Sequence, residues 1–229
     1  MKVAANFADI SCEGYKNVND LAVVQSRLHS SQTLFGDTNA EILVLLQDSA
    51  NWETFEECLK QDQDFFRHHP NRITNKRLAE LFSRKFDVDA SGSNSTTCGL
   101  FCANVVWLLK QGNMSASLRG RRHVVKACQP VFDETIKSLP NLKLVVAFGK
   151  DTFSSACELL GLQLGNWRDV VTNRTVIEVF YKNQRFGLCT VPHPAARGRF
   201  RESLSPTEDD PWGGDIISWM SYVQKNDLQ

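Results

Sequence analysis

The sequence predicts an α/β fold: one domain, residues 1–229, built as a three-layer α/β/α sandwich around a central, mainly parallel four-stranded sheet. Three observations carry this. Glu41-Ile-Leu-Val-Leu-Leu46 and Leu142-Lys-Leu-Val-Val-Ala-Phe148 are short continuous apolar runs, the pattern of strands covered on both faces. Segments of helical periodicity alternate with them, which implies right-handed crossovers and a parallel sheet. The 229 residues, 42% hydrophobic and 23% charged, suit one globular domain with a substantial core.

In chain order, residues 18–30 read as a helix with Leu21, Val24 and Leu28 on one face. The run 41–46 follows as the first strand and ends at Gln47-Asp48-Ser49-Ala50-Asn51. Residues 74–86 form a second helix with Thr74 as N-cap, and 89–97 have loop composition. Gly99–Asn104 is the second strand, 122–139 a helix, and 142–148 the third strand. Gly149 turns the chain into a helix over 151–160, stopped by Gly161. Residues 175–181 and 185–191 read as a strand pair around Asn183-Gln184, the second member ending at His193-Pro194. A final helix is expected over 213–225.

Composition narrows the function classes. No apolar run approaches the ~20 residues of a membrane helix, and the N-terminal stretch is too short for a secretory signal, so a cytoplasmic, nucleoid-associated protein is expected. Seven cysteines without a CxxC pair argue against a disulfide framework and a zinc ribbon, leaving buried thiols. Formal net charge is zero, but local basic patches are enough to meet a polyanion. One comprises Arg119, Arg121, Arg122, His123 and Lys126; the other comprises Arg197, Arg199 and Arg201.

Parallel sheets bind ligands at the carboxyl ends of their strands. Three polar residues are expected there: Asp48 after the first strand, Asn104 at the end of the second, and His193 after the last. A carboxylate in such a turn can orient water or stabilise a cation. An amide offers both a donor and an acceptor. The histidine is stiffened by Pro192 and Pro194.

These residues also carry a resemblance. Gln47-Asp48-Ser49-Ala50-Asn51 after an apolar strand resembles the first motif of the uracil-DNA glycosylase superfamily, Gly-Gln-Asp-Pro-Tyr. His193-Pro194-Ala195-Ala196 resembles its second, His-Pro-Ser-Pro. Phe101–Val106 is similar to the uracil-reading strand. Val124–Pro130 through Leu144–Gly149 is similar to the iron–sulfur branches, and Phe66–Arg72 to the mismatch-specific branch. The ordered set covers roughly 38–200.

The resemblance implies hydrolysis of the N-glycosidic bond of uracil in DNA, with Asp48 orienting water and His193 stabilising the departing uracil anion. It implies that the main chain at Gln47 and Asp48 touches the base, that Asn104 reads its edge and that Phe66 stacks on it. Arg197 would fill the vacated stack, while Arg199, Arg121 and Arg122 would contact phosphate. The partners implied are uracil-containing DNA and free uracil, bound by a monomer. No metal or cofactor is implied, and the four cluster cysteines are not recognisable.

The sequence also departs from the family pattern. Leu46 and Ser49 replace the usual glycine and proline, and Ala50 replaces the tyrosine that excludes thymine. Trp52 or Phe55 is the candidate replacement wall beside Ala50. No lysine stands at a recognised nucleophile position, so no lyase step is expected. The alternative function is a reader of abasic or damaged DNA with little turnover.

Overall fold

The structure, a computed structural model, describes residues 10–17, 35–36, 39–48, 51–53, 56–57, 100–112, 120–163, 165–193, 221–222 and 225. The helices expected over 18–30 and 74–86 and the loop over 89–97 lie outside these residues. So does most of 213–225, of which Ser221, Tyr222 and Lys225 are helical.

The strands are β1 (Tyr15–Lys16), β2 (Phe35–Gly36), β3 (Ile42–Asp48), β4 (Leu100–Val106), β5 (Leu109–Lys110), β6 (Leu144–Phe148), β7 (Ile177–Tyr181) and β8 (Gln184–Val191). Helices α1 (Arg122–Ala127), α2 (Gln129–Lys137), α3 (Lys150–Leu159) and α4 (Trp167–Thr172) lie between β5 and β7. The main sheet has the order β2-β4-β3-β6-β8-β7. Its four central strands β4, β3, β6 and β8 are mutually parallel. β2 and β7 are antiparallel edges. The fold is therefore α/β with a mainly parallel sheet, but that sheet has six strands rather than four.

The central strands form where the apolar runs lie. Leu43, Val44 and Leu45 of β3 and Leu144 to Phe148 of β6 are all buried, so both faces of the sheet are covered. One face packs on a cluster from the helices, including Val124, Val125, Phe132, Ile136, Phe153 and Ala156. On the opposite face Tyr222 lies against Gly187, leaving no room there for a side chain.

Several boundaries differ from the sequence expectation. β4 runs past Asn104 to Val106, because Val105 and Val106 continue the buried apolar pattern. The helix expected over 122–139 is two helices broken at Cys128. Pro130 stands in the first turn of α2, where it lacks an amide to donate and its ring crowds the preceding turn. The hairpin turn is Lys182-Asn183 rather than Asn183-Gln184: both have positive φ (48° and 64°), the geometry of a two-residue primed turn. Gln184 already pairs with Tyr181. Gly161 (φ 70°) ends α3, and Leu162 N–H donates to Cys157 C=O at 2.8 Å.

A second, two-stranded sheet was not expected. β1 pairs antiparallel with β5, Tyr15 opposite Lys110 and Lys16 opposite Leu109. Among the described residues, no helix is long and apolar enough to cross a membrane.

Candidate active site

Asp48 is the last residue of β3, where the buried run gives way to half-buried positions. Opposite residues in parallel strands share a face, so Val44, Leu46 and Asp48 lie on one face with Cys102, Asn104 and Val106. Asn104 stands opposite Leu46 and Val106 opposite Asp48. The amide is thus on Asp48's side of the sheet, set back by ~7 Å of strand. Asn104 is 1% exposed, deeper than a strand-end residue would be. Gln47 adjoins Asp48 and is half-buried.

His193 follows β8 by two residues. β6 separates β8 from β3, and all three run parallel, so His193 and Asp48 leave the sheet at the same edge. Gly149 sets the position of the histidine. A Cβ at Gly149 would stand 3.0 Å from the Cβ of His193, and its φ of 94° with ψ of 161° is a conformation essentially reserved for glycine. Its amide donates to Val191 C=O at 2.7 Å, tying the start of α3 to the end of β8. Burial depresses the pKa of His193, and the negative charge of Asp48 opposes that shift without cancelling it. The imidazole is therefore neutral at neutral pH, and Asp48 is close enough to act on it.

The principal feature that sequence reasoning missed is Lys110. Its Nζ is 3.0 Å from Asp48 Oδ2, with the two side chains 10% and 13% exposed. The β1–β5 pairing holds the lysine backbone on one side and a parallel bridge to Asn51 on the other. One residue beyond Gln111, the Gly112 N–H donates to both carboxylate oxygens of Glu53, at 3.0 and 3.2 Å. The signal was present but faint: Trp107-Leu-Leu-Lys110 is an apolar run closing on a lysine, and a lysine in a buried strand needs a carboxylate.

Tyr15 also belongs to this neighbourhood. Its hydroxyl accepts from the Arg121 guanidinium at 2.9 Å. Burial raises its pKa, Arg121 works against that, and the charge of Asp48 adds to the rise.

The other expected residues fall as follows. Trp52 is half-buried, with the Lys16 ammonium 4.2 Å from its ring centroid, so a cation rests on the ring proposed as a pocket wall. Arg121 is engaged with Tyr15 rather than simply displayed at the surface. Arg122 is 83% exposed and 3.8 Å from Glu158 Oε2. It lines a groove of about 760 Å³ with Lys150, Asp151 and Glu158, where charges of both signs alternate. Ala50, Phe55, Phe66, Arg197 and Arg199 lie outside the described residues.

The described cysteines are free thiols, with Cys102, Cys128, Cys157 and Cys189 buried. Burial pushes the Cys128 thiol up to about 11 and the Cys157 thiol up to about 12, so neither is a thiolate nucleophile at neutral pH. The chain matches no family model, and no curated protein matches it.

Proposed function

We propose that this chain is a DNA-repair glycosylase that hydrolyses the N-glycosidic bond of deoxyuridine in DNA, leaving an abasic site and free uracil. The observation that carries the reading is the convergence of Asp48 and a neutral His193 at one sheet edge, close enough for the charge of one to act on the other. The reaction needs those two functions at one carbon: an anion for the positive charge developing on the sugar and a neutral donor for the departing base. Donors set in place before the reaction supply the largest electrostatic gain.

In this reading Asp48 orients the attacking water and stabilises the sugar cation, and His193 donates to the uracil anion. The base is flipped out of the duplex, at a cost of a few kcal/mol. Asn104 reads its polar edge, the main chain at Gln47 contacts it, and Phe66 stacks on it. Ala50 and Trp52 shape the wall around the uracil C5 position. Arg197 fills the vacated stack, while Arg199, Arg121 and Arg122 meet phosphate. The chain acts as a monomer within the cell, and the step needs no metal or organic cofactor. The fold assigned to it is a three-layer α/β/α sandwich.

A second reading, a reader of abasic or damaged DNA with little turnover, is favoured by the Asp48–Lys110 pair. A cation on the carboxylate offsets the charge that should stabilise the sugar cation. One assay separates the two. Oligonucleotides containing uracil, single- and double-stranded, are incubated with the protein and treated with alkali. Strand breaks at uracil are the expected result. Tight binding without breaks would support the reader and refute the glycosylase.

A further inference from the structure

We propose that the Lys110 amine captures the aldehyde of an abasic deoxyribose as an imine, which gives the chain a DNA lyase activity at the Asp48 site. The inference takes its substrate from the glycosylase reading and adds a second reaction to it. The expectation that no lyase step follows rested on the lack of a lysine at a recognised position. The structure places a lysine Nζ 3.0 Å from Asp48 Oδ2.

If Asp48 faces C1′ while the base departs, the hydrolysed sugar remains at that carboxylate with C1′ nearest to it. An abasic deoxyribose opens to an aldehyde at C1′. A primary amine hydrogen-bonded to Asp48 is then within reach of the carbonyl carbon, and lysine amines form imines with carbonyl substrates. The amine is held there. β5 is pinned by β1 and by the Asn51 bridge, and Glu53 fixes the main chain at Gly112. A pair kept for stability alone is a poor use of a lysine, because burying both charges costs as much as it returns.

The step balances without a further reagent. The ammonium passes one proton to the Asp48 carboxylate along their hydrogen bond. The nitrogen lone pair then attacks C1′, and the carbonyl π electrons move to oxygen. That oxygen takes one proton from the nitrogen and one back from Asp48, and leaves as water. One ammonium and one aldehyde have become one protonated imine and one water. Loss of a C2′ proton to water and departure of the 3′ phosphate with the C3′–O electrons then break the strand.

The test uses the full chain and two oligonucleotides, one with a preformed abasic site and one with uracil, each with and without sodium borohydride. Borohydride reduces an imine to a stable secondary amine, so the complex survives denaturing electrophoresis. The expected result is a covalent adduct on the abasic oligonucleotide that maps by mass spectrometry to Lys110. K110R, whose guanidinium keeps the charge but forms no such imine, should lose the adduct at least tenfold while unfolding cooperatively. Mapping on the unmodified chain decides the matter even if K110R folds poorly. An adduct on another amine, such as Lys16, overturns the proposal. No adduct together with uracil release also overturns it and leaves a purely hydrolytic glycosylase. An adduct without uracil release leaves the lyase standing and removes the glycosylase.

Discussion

At the scale of single residues, the proposed chemistry rests on a neutral His193. Its pKa is depressed by burial, and the unfolded imidazole titrates at about 6.5. As pH falls below that value, the unfolded chain takes up a proton that the native chain refuses. Stability is therefore lost as pH falls through the folded pKa, and His193 adds no slope above about 6.5. Activity should follow the folded value: the acid limb of uracil release set by His193 should lie below about 6.5. A limb at or above that value would show that a neutral His193 is not the species at work.

Gly149 is the residue on which His193 leans. Gly149→Ala forces a side chain into a conformation that costs on the order of 1–3 kcal/mol and sets a methyl at 3.0 Å from the His193 Cβ. The expected outcome is a lower melting temperature and slower turnover. A variant with wild-type kcat would show that the histidine does not depend on this contact.

At the scale of elements, the short sheet β1–β5 matters more than its length suggests. It sets Lys110, the partner of Asp48, opposite Tyr15, the partner of Arg121. Lys110→Met would leave a nearly buried carboxylate without its cation, a loss of about 3 kcal/mol by analogy with other buried pairs. Urea unfolding checks this; a change below about 1 kcal/mol would mean that solvent already screens the pair.

A different contact joins α2 to β7. The Tyr181 hydroxyl donates to Asp133 Oδ1 at 2.5 Å, and Gln129 donates to the same oxygen at 2.8 Å. Gln129 also donates to the Tyr181 hydroxyl at 2.8 Å. Tyr181→Phe should cost about 2 kcal/mol, since a hydrogen bond to a charged group is among the stronger ones. It should leave uracil release unchanged, because the network lies outside the candidate site.

How far the sequence could be read follows from the same contacts. β3, β4, β6 and β8 were legible because continuous apolar runs have few other homes. β2, β1 and β5 were not, since a two-residue strand carries no periodicity. The break at Cys128 was signalled by Pro130 and overridden by the apolar pattern on either side of it. Asp48 and His193 were legible because strand ends of a parallel sheet converge. Lys110 was not, because its partner lies 62 residues away, and their meeting follows from the register of β4 beside β3, with Val106 opposite Asp48, and from the Asn51–Lys110 bridge.

At the scale of the whole molecule, one sheet edge gathers Asp48, Lys110, His193 and, further back along the strand, Asn104. The crossovers that build a parallel sheet put residues some 145 positions apart at one place, and the account of function depends on that place alone. The measurement that tests it most directly is single-turnover release of uracil from a uracil-containing oligonucleotide by the unmodified chain, Asp48→Asn and His193→Ala, each first shown to unfold cooperatively. The expected result is release by the unmodified chain and a fall of roughly 100-fold or more in each variant, the scale seen when a preset electrostatic group is removed. No release by the unmodified chain, or undiminished release by both variants, would contradict the assignment of the reaction to this edge.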